Sequence, residues 1–365
     1  MRKYKNILFL TAFIFILISH FYAADIQCVW TDVEKIVAVG DLHGDYKSFI
    51  KILKGTGLID KELHWTGGKT HLVQIGDILD RGPDAKKIFD LLMRLEKEAE
   101  EAGGKAHMLI GNHEEMNIAD VAFDREGYVT TRQFISFLPD KYREKQEKKF
   151  RKKIENNPPK ETESDSSLDS NLLPYWEKII DEAKDNDKHP ARRAYIKNFN
   201  KIYGKWILEH NVVIKINDII FVHGGISKKF SNWKLKHINN LSRIELEDLR
   251  WAVINSRPTK IPPYKRKIVF IPDGAYWYRE LAQRMNEESF QEDVDQILTN
   301  LKAQYMVIAH TPKIVKTKDD MRLYKGKIWI IDTGISEVYR AMKGRLSALI
   351  IESGNFDVWG LKDDK

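Results

Sequence analysis

Four short strings, met in a fixed order, restrict this chain's fold more than anything in its composition. They are Gly40-Asp41-Leu42-His43-Gly44, Gly76-Asp77-Ile78-Leu79-Asp80-Arg81-Gly82, Gly111-Asn112-His113-Glu114 and His223-Gly224-Gly225. Each follows directly on an apolar run: Ile36-Val37-Ala38-Val39, Leu72-Val73-Gln74-Ile75, Met108-Leu109-Ile110 and Ile219-Ile220-Phe221-Val222. Short β-branched runs that stop at a polar or glycine-rich string predict buried strands. In open α/β sheets, sites lie at the carboxyl ends of the strands. The four strings are therefore expected to converge on one place, bringing metal-ligand and acid–base side chains together.

Between the strings the pattern alternates. Helices are expected over Lys47–Leu58 and Asp84–Ala102, the latter stopped by Gly103-Gly104, which gives βαβ grammar up to about Asn117. From about 119 to 208 the character changes, and a helical cap inserted between two sheet-forming halves is expected there. Helices are predicted over Tyr175–Ala183 and Arg192–Leu208. The stripe Tyr195, Ile196, Phe199, Ile202, Tyr203 and Trp206 suits core packing better than a ligand box. Residues 156–170 lack any apolar face and are expected to be a disordered loop. Strands resume over Val212–Ile216, Ile219–Val222, Tyr305–Ala309, Ile328–Ile331 and Ala348–Ile351, with helices at Arg243–Trp251 and Phe290–Ala303. The fold class is α/β: two sheets facing each other as a sandwich, helices outside, the site in the cleft between the halves.

The 365 residues suffice for a large core. The net charge of +7 is scattered rather than gathered on one segment, and three of the positive charges are Arg2, Lys3 and Lys5 near the N-terminus. Nucleic-acid binding is not expected, although a mildly positive field helps draw in an anionic substrate. A single cysteine, Cys28, excludes an intramolecular disulfide framework. The basic start followed by the apolar run Ile7 to Ile18 predicts a signal peptide over residues 1–24, or an uncleaved signal anchor, ahead of a catalytic domain over 25–365. Either reading sends the domain into the secretory pathway, to the endoplasmic reticulum lumen or beyond, or to the periplasm of a bacterium. Contact with a membrane is then expected only through that segment.

The chemistry of the strings is specific. Asp41 and His43 are alternate residues at a strand end, so both side chains can reach one ion. Asp77 can bridge two ions through its two oxygens. Asn112 offers an amide oxygen, His223 ends the fourth strand and His310 the fifth. The set gives three ligands to one ion and four to the other, with Asp77 shared. Mixed imidazole, carboxylate and amide donors suit Mn²⁺, Fe or Zn²⁺. Two such ions clamp the oxygens of an in-line displacement, and water on them is hydroxide near neutral pH. Arg81 offers a fork for phosphate oxygens. Asp80 is placed to hold the imidazole of His113 as general acid. Any one string could be structural; all of them in order, each at a strand end, are hard to obtain by chance. His20, His64, His71, His107, His189, His210 and His237 fall outside the strings and are read as ordinary histidines.

Taken together, Asp-x-His-Gly, Gly-Asp-x-x-Asp-Arg-Gly, Gly-Asn-His-Glu, His-Gly-Gly and a late histidine resemble the signature of the phosphoprotein phosphatase family. Met108-Leu109-Ile110 before Gly111, and Gly274-Ala275-Tyr276-Trp277-Tyr278-Arg279, are similar to the Shewanella-like protein phosphatases within it. The resemblance implies a calcineurin-like metallophosphatase fold with two mixed sheets. It implies two divalent metals, manganese first, and Arg279 as a second phosphate-binding arginine. It also implies hydrolysis of phosphoserine or phosphothreonine in proteins, with phosphotyrosine left open. The Ser-Ala-Pro-Asn-Tyr element of the major members is missing; Ile331-Asp332-Thr333-Gly334-Ile335-Ser336 stands in its place. Two other readings are a dinucleoside polyphosphate hydrolase and a catalytically silent scaffold. The second predicts eroded ligands, whereas every ligand is present.

Overall fold

The computed structural model describes residues 26–156, 170–184, 186–284 and 287–361. The expected signal segment lies outside these residues, as does the predicted loop apart from its two ends. Among these residues eleven strands fall into two mixed sheets. The first runs β1 (Val29–Trp30), β5 (Val213–Ile216), β6 (Ile219–Val222), β7 (Tyr305–Ile308), β9 (Ile328–Ile330) and β8 (Arg322–Leu323). The second runs β11 (Asn355–Trp359), β10 (Ala348–Glu352), β2 (Lys35–Val39), β3 (His71–Gln74) and β4 (Lys105–Met108). Strands β2, β3 and β4 are parallel, as are β6, β7 and β9.

Alternation along each strand explains the layers. Ile36, Ala38, Val73, Ile75 and Leu109 of one sheet meet Ile214, Phe221, Val307, Ala309, Trp329 and Ile331 of the other, forming the core between the sheets. Their neighbours Val37, Val39, Leu72 and Met108 turn outward into the larger core beneath the helices. Both sets are buried, so the strands read as continuous apolar runs rather than alternating ones.

On the helical side, α1 (Tyr46–Gly55) starts at an Asp45 cap whose carboxylate accepts from Ser48 N. Helix α2 (Ala85–Glu101) buries Ile88, Leu91, Leu92 and Leu95, the face its sequence spacing predicts. The short α3 (Asn112–Ile118) follows β4. Helices α4 (Thr131–Phe137), α5 (Asp140–Asn156), α6 (Leu173–Lys184) and α7 (Pro190–Ile207) occupy the region expected to be helical. Tyr195, Phe199 and Tyr203 of α7 pack on Phe134 and Phe137 of α4 through stacked and edge-on contacts. Ile202, read from sequence as part of that stripe, is instead 49% exposed. Helix α8 (Leu235–Asn255) is longer than its sequence pattern indicates, and α9 (Glu280–Gln283) and α10 (Glu288–Asn300) precede β7. Among the described residues no helix is long and apolar enough to cross a membrane.

Candidate dinuclear metal centre

Strands β2, β3, β4, β6, β7 and β9 all end at one edge of the sandwich. Asp41, Asp77, Asn112, His223, His310 and Asp332 follow them within a few residues, and all six are buried. Backbone and buried carboxylate hydrogen bonds knit the strings together. Leu42 N and His43 N donate to Asp77 O, and Gly44 N to Ile78 O. The Glu114 carboxylate accepts from Gly111 N at 2.9 Å, Asp77 N at 2.8 Å, Ile78 N at 2.9 Å and Leu79 N at 3.3 Å. Close approach requires glycine here: a Cβ on Gly76 would meet Gly111 N at 2.6 Å, and one on Gly111 would meet Asp77 Oδ1 at 2.3 Å. Five site residues that are not glycine adopt left-handed backbone: His43, Asp77, Asp80, Arg81 and His310, with φ between 41° and 70°. Such strain clusters where surrounding contacts over-determine the geometry.

Two groups of donor atoms result. One gathers His43, Asp77 and His113; the other gathers Asp77, His223 and His310; within each the atoms lie within 4.8 Å of one another. The backbone sets the tautomers. His43 Nδ1 donates to Leu79 O and His223 Nδ1 to Ile75 O, both at 3.0 Å, so each presents the Nε2 lone pair to the cleft. His223 Nε2 stands 3.0 Å from Asn112 Oδ1, 3.1 Å from His310 Nδ1 and 3.3 Å from Asp77 Oδ1. Asp41 Oδ1, Asp332 Oδ2 and His310 Nε2 are buried with no hydrogen-bond partner. Burial, together with the charges of Asp332 and Asp77, pushes the Asp41 carboxyl well above its usual range. Burial pulls His43 down, and burial with His223 nearby pulls His310 down to about 2. Converging lone pairs and close carboxylates repel one another in a dry site, and divalent cations relieve that repulsion. The residues fit the metals expected of them.

Beside these donors, His113 Nδ1 lies 2.6 Å from Asp80 Oδ2, and its Nε2 lies 3.8 Å from Asp77 Oδ2. Asn117 Nδ2 and Gln133 Nε2 both donate to the Asp80 carboxylate, and Asp80 N donates to Gln133 Oε1. Tyr195 Oη donates to Asn117 Oδ1 at 3.1 Å. The helical region thus reaches into the acid–base pair. Arg81 Nη1 donates to His43 Nε2 at 2.6 Å and also to the Tyr339 hydroxyl. Arg279 Nη1 donates to His310 O at 2.8 Å and Thr311 Oγ1 at 3.0 Å. All ten residues singled out in the sequence therefore gather around the two donor groups.

Three features differ from the sequence reading or were missed by it. From sequence, the glycine pair Gly224-Gly225 after His223 suits a close approach of backbone to the ions. Gly224 instead lets the Ala275–Tyr278 segment dock, for its N donates to Ala275 O at 2.8 Å and a Cβ would meet that oxygen at 2.9 Å. Asp332 follows the apolar run Ile328–Ile331, the same signal that marked the strings, and went unassigned. Glu115, buried on α3, accepts from Phe270 N and Trp277 Nε1, and the Trp277 ring stands edge-on to His310 at 5.7 Å. No local pattern pointed to that link, which spans over 150 residues of sequence.

A mixed sandwich with carboxylates, imidazoles and an amide at its strand ends, and an acid–base pair beside them, defines a metal-dependent phosphoesterase. The model for calcineurin-like phosphoesterases matches residues 34–313, and the chain belongs to that family. It is similar to Shewanella-like protein phosphatase 1 of Plasmodium berghei, with 26% identity over 83% of this chain and 67% of that one. It is also similar to Shewanella-like protein phosphatase 2 of Arabidopsis thaliana, with 30% identity over 76% of this chain and 66% of that one. The chain thus spans about two thirds of the length of these relatives. In fold it resembles the cold-active protein-tyrosine phosphatase of a psychrophilic Shewanella species, with TM-score 0.60 and 22% identity over 91% of this chain and 83% of that one.

Proposed function

We propose that the chain is a phosphoprotein phosphatase that hydrolyses phosphomonoesters of serine or threonine, with tyrosine open, using two divalent ions of which manganese is the first candidate. The observation that carries this is the arrangement around His223 Nε2, with three other ligand atoms within 3.3 Å, beside the His113–Asp80 pair and Arg81. The names of the relatives support the phosphoprotein substrate class.

In this reading Asp41, His43 and Asp77 would hold one ion, and Asp77, Asn112, His223 and His310 the other. When bound, the ions supply Lewis acidity for in-line attack of water at phosphorus. Arg81 and Arg279 hold the phosphoryl oxygens. Asp80 fixes the Nδ1 proton of His113, which leaves Nε2 to give a proton to the departing alkoxide. No protein nucleophile is needed. The basic start and the apolar run that follows support delivery through the secretory pathway, or to a periplasm.

The test is turnover of phosphoserine, phosphothreonine and phosphotyrosine peptides against dinucleoside polyphosphates. It uses purified protein stripped of metal and reloaded with Mn²⁺, Fe²⁺ or Zn²⁺. Release of phosphate from peptides, restored by metal, is expected. Preference for dinucleoside polyphosphates, or no turnover of either with metals bound, would overturn the assignment.

A further inference from the structure

We propose that Tyr128 and Tyr339 are positioning residues that clamp the Arg81 guanidinium from two sides and aim it at the metal cleft. The proposal rests on the phosphatase reading, and specifically on Arg81 as a phosphoryl-binding group.

Arg81 sits on a left-handed turn with φ of 67°, and its N donates to Tyr128 O at 2.7 Å. Its guanidinium carbon lies 5.2 Å from the centroid of the Tyr128 ring and 5.6 Å from that of Tyr339. The Tyr339 hydroxyl also accepts from Nη1. The two rings come from unrelated parts of the chain. Tyr128 lies between α3 and α4, and Tyr339 lies in the 3-10 turn Glu337–Met342 after β9. Each ring also rests on an imidazole of the centre. Tyr128 lies 4.8 Å from His113, inclined at 32°, and Tyr339 lies 5.7 Å from His43. One pair of side chains therefore ties the arginine to the acid and to a metal ligand at once.

The choice of aromatic partners has a physical reason. An arginine stem is flexible, and ordering it opposes anion binding unless the fold has ordered it already. A carboxylate would order it but would compete with phosphate for the same N–H fork. Among the described residues no carboxylate lies within ion-pair distance of Arg81, on which Asp77 acts only through its charge; its close side-chain partners are two tyrosines and His43. Ring faces attract the cation without neutralising it. A cation held at His43 Nε2 would take the lone pair that the guanidinium N–H now uses, which would leave the two tyrosines to hold the arginine.

A double-mutant cycle on Mn²⁺-loaded protein tests the clamp. Calorimetric titration of inorganic phosphate is its main readout, and KM and kcat for p-nitrophenyl phosphate are the second. Tyr339→Leu and Tyr128→Leu are each expected to weaken phosphate binding by about tenfold, the scale of one desolvated cation–π contact, and to raise KM in parallel. Tyr339→Phe keeps the ring and should lose no more than about threefold. In an Arg81→Ala background, Tyr339→Leu should change phosphate affinity by less than about twofold, because a clamp acts only through what it holds. The same tenfold loss without the arginine, or no loss in either leucine variant, would overturn the proposal. Tyr339→Met replaces Tyr339→Leu in the cycle if the latter does not fold. Wild-type protein that binds two metals yet no phosphate would overturn the underlying phosphatase reading, and the clamp with it.

Discussion

Glu114→Gln is a one-atom change whose consequence follows from four hydrogen bonds. In the native fold Glu114 Oε2 accepts from Asp77 N and Gly111 N, and Oε1 from Ile78 N and Leu79 N. The residue is fully buried. A glutamine offers one carbonyl oxygen and one NH2, so only one pair of amides keeps an acceptor while the other faces two donors. Losing two charge-assisted hydrogen bonds at about 1.5–3 kcal/mol each costs about 3–6 kcal/mol. At roughly 2 °C per kcal/mol for a domain of this size, the melting temperature should fall by about 6–12 °C. The change also loosens the strings that carry Asp77 and Asn112, so Mn²⁺ affinity should fall although neither ligand is altered. Thermal unfolding followed by circular dichroism, with elemental analysis of the folded variant, measures both effects. A melting temperature within about 2 °C of wild type, with two ions bound, would show that the carboxylate does not hold these strings together.

Asp77→Asn should lose far more metal and activity than Asn112→Asp, because Asp77 alone belongs to both donor groups; two ions retained in Asp77→Asn would refute the bridge. His113→Ala should slow phosphoserine peptides more than p-nitrophenyl phosphate, by about tenfold or more, since an alkoxide needs the proton that a nitrophenolate does not. Equal losses with metals retained would place the acid elsewhere. A third expectation concerns pH. His71 and His107 are buried in contact, with 3.0 Å between ring nitrogens, and burial lowers His71 to about 4. The unfolded state binds the extra proton between about pH 6.5 and pH 4, so stability is full above that window and falls as pH drops through it. Denaturant unfolding at pH 7 and pH 4.5 should show a smaller drop for His71→Gln than for wild type, and equal drops would refute it.

The candidate centre is legible in the sequence because its proposed ligands sit at fixed offsets from apolar strands. Asp41 and His43 follow β2, Asp77 follows β3, and His223 follows β6 with no residue between. Once the runs are read as parallel strands, topology brings the strings to one edge without any knowledge of helix packing. The same logic reached the two-sheet sandwich. Illegible parts were those in which a long-range partner decides the outcome. Helix α5 is charged on nearly every face and buries only Phe150, so periodicity gave no sign of it; it is held by Phe150 against Tyr175 and Trp176. His71 and His107 looked ordinary because their pairing depends on strand register.

Sequence reasoning also drew too sharp a line between the centre and the helices beside it. From sequence, residues 119–208 read as a helical cap inserted between the two sheet-forming halves. Gln133 on α4, however, accepts from Asp80 N through one end of its amide and donates to the Asp80 carboxylate through the other. Tyr195 on α7 holds Asn117, which donates to the same carboxylate. Gln133 and Tyr195 are both fully or nearly fully buried, and Tyr195 is stacked on Phe134. The position of the proposed acid therefore depends on an aromatic core built by two later helices, α4 and α7. Helices that supply partners to Asp80 cannot vary freely to suit new substrates. Their outer surfaces can change, while Gln133, Tyr195 and the rings beneath them are bound to the chemistry.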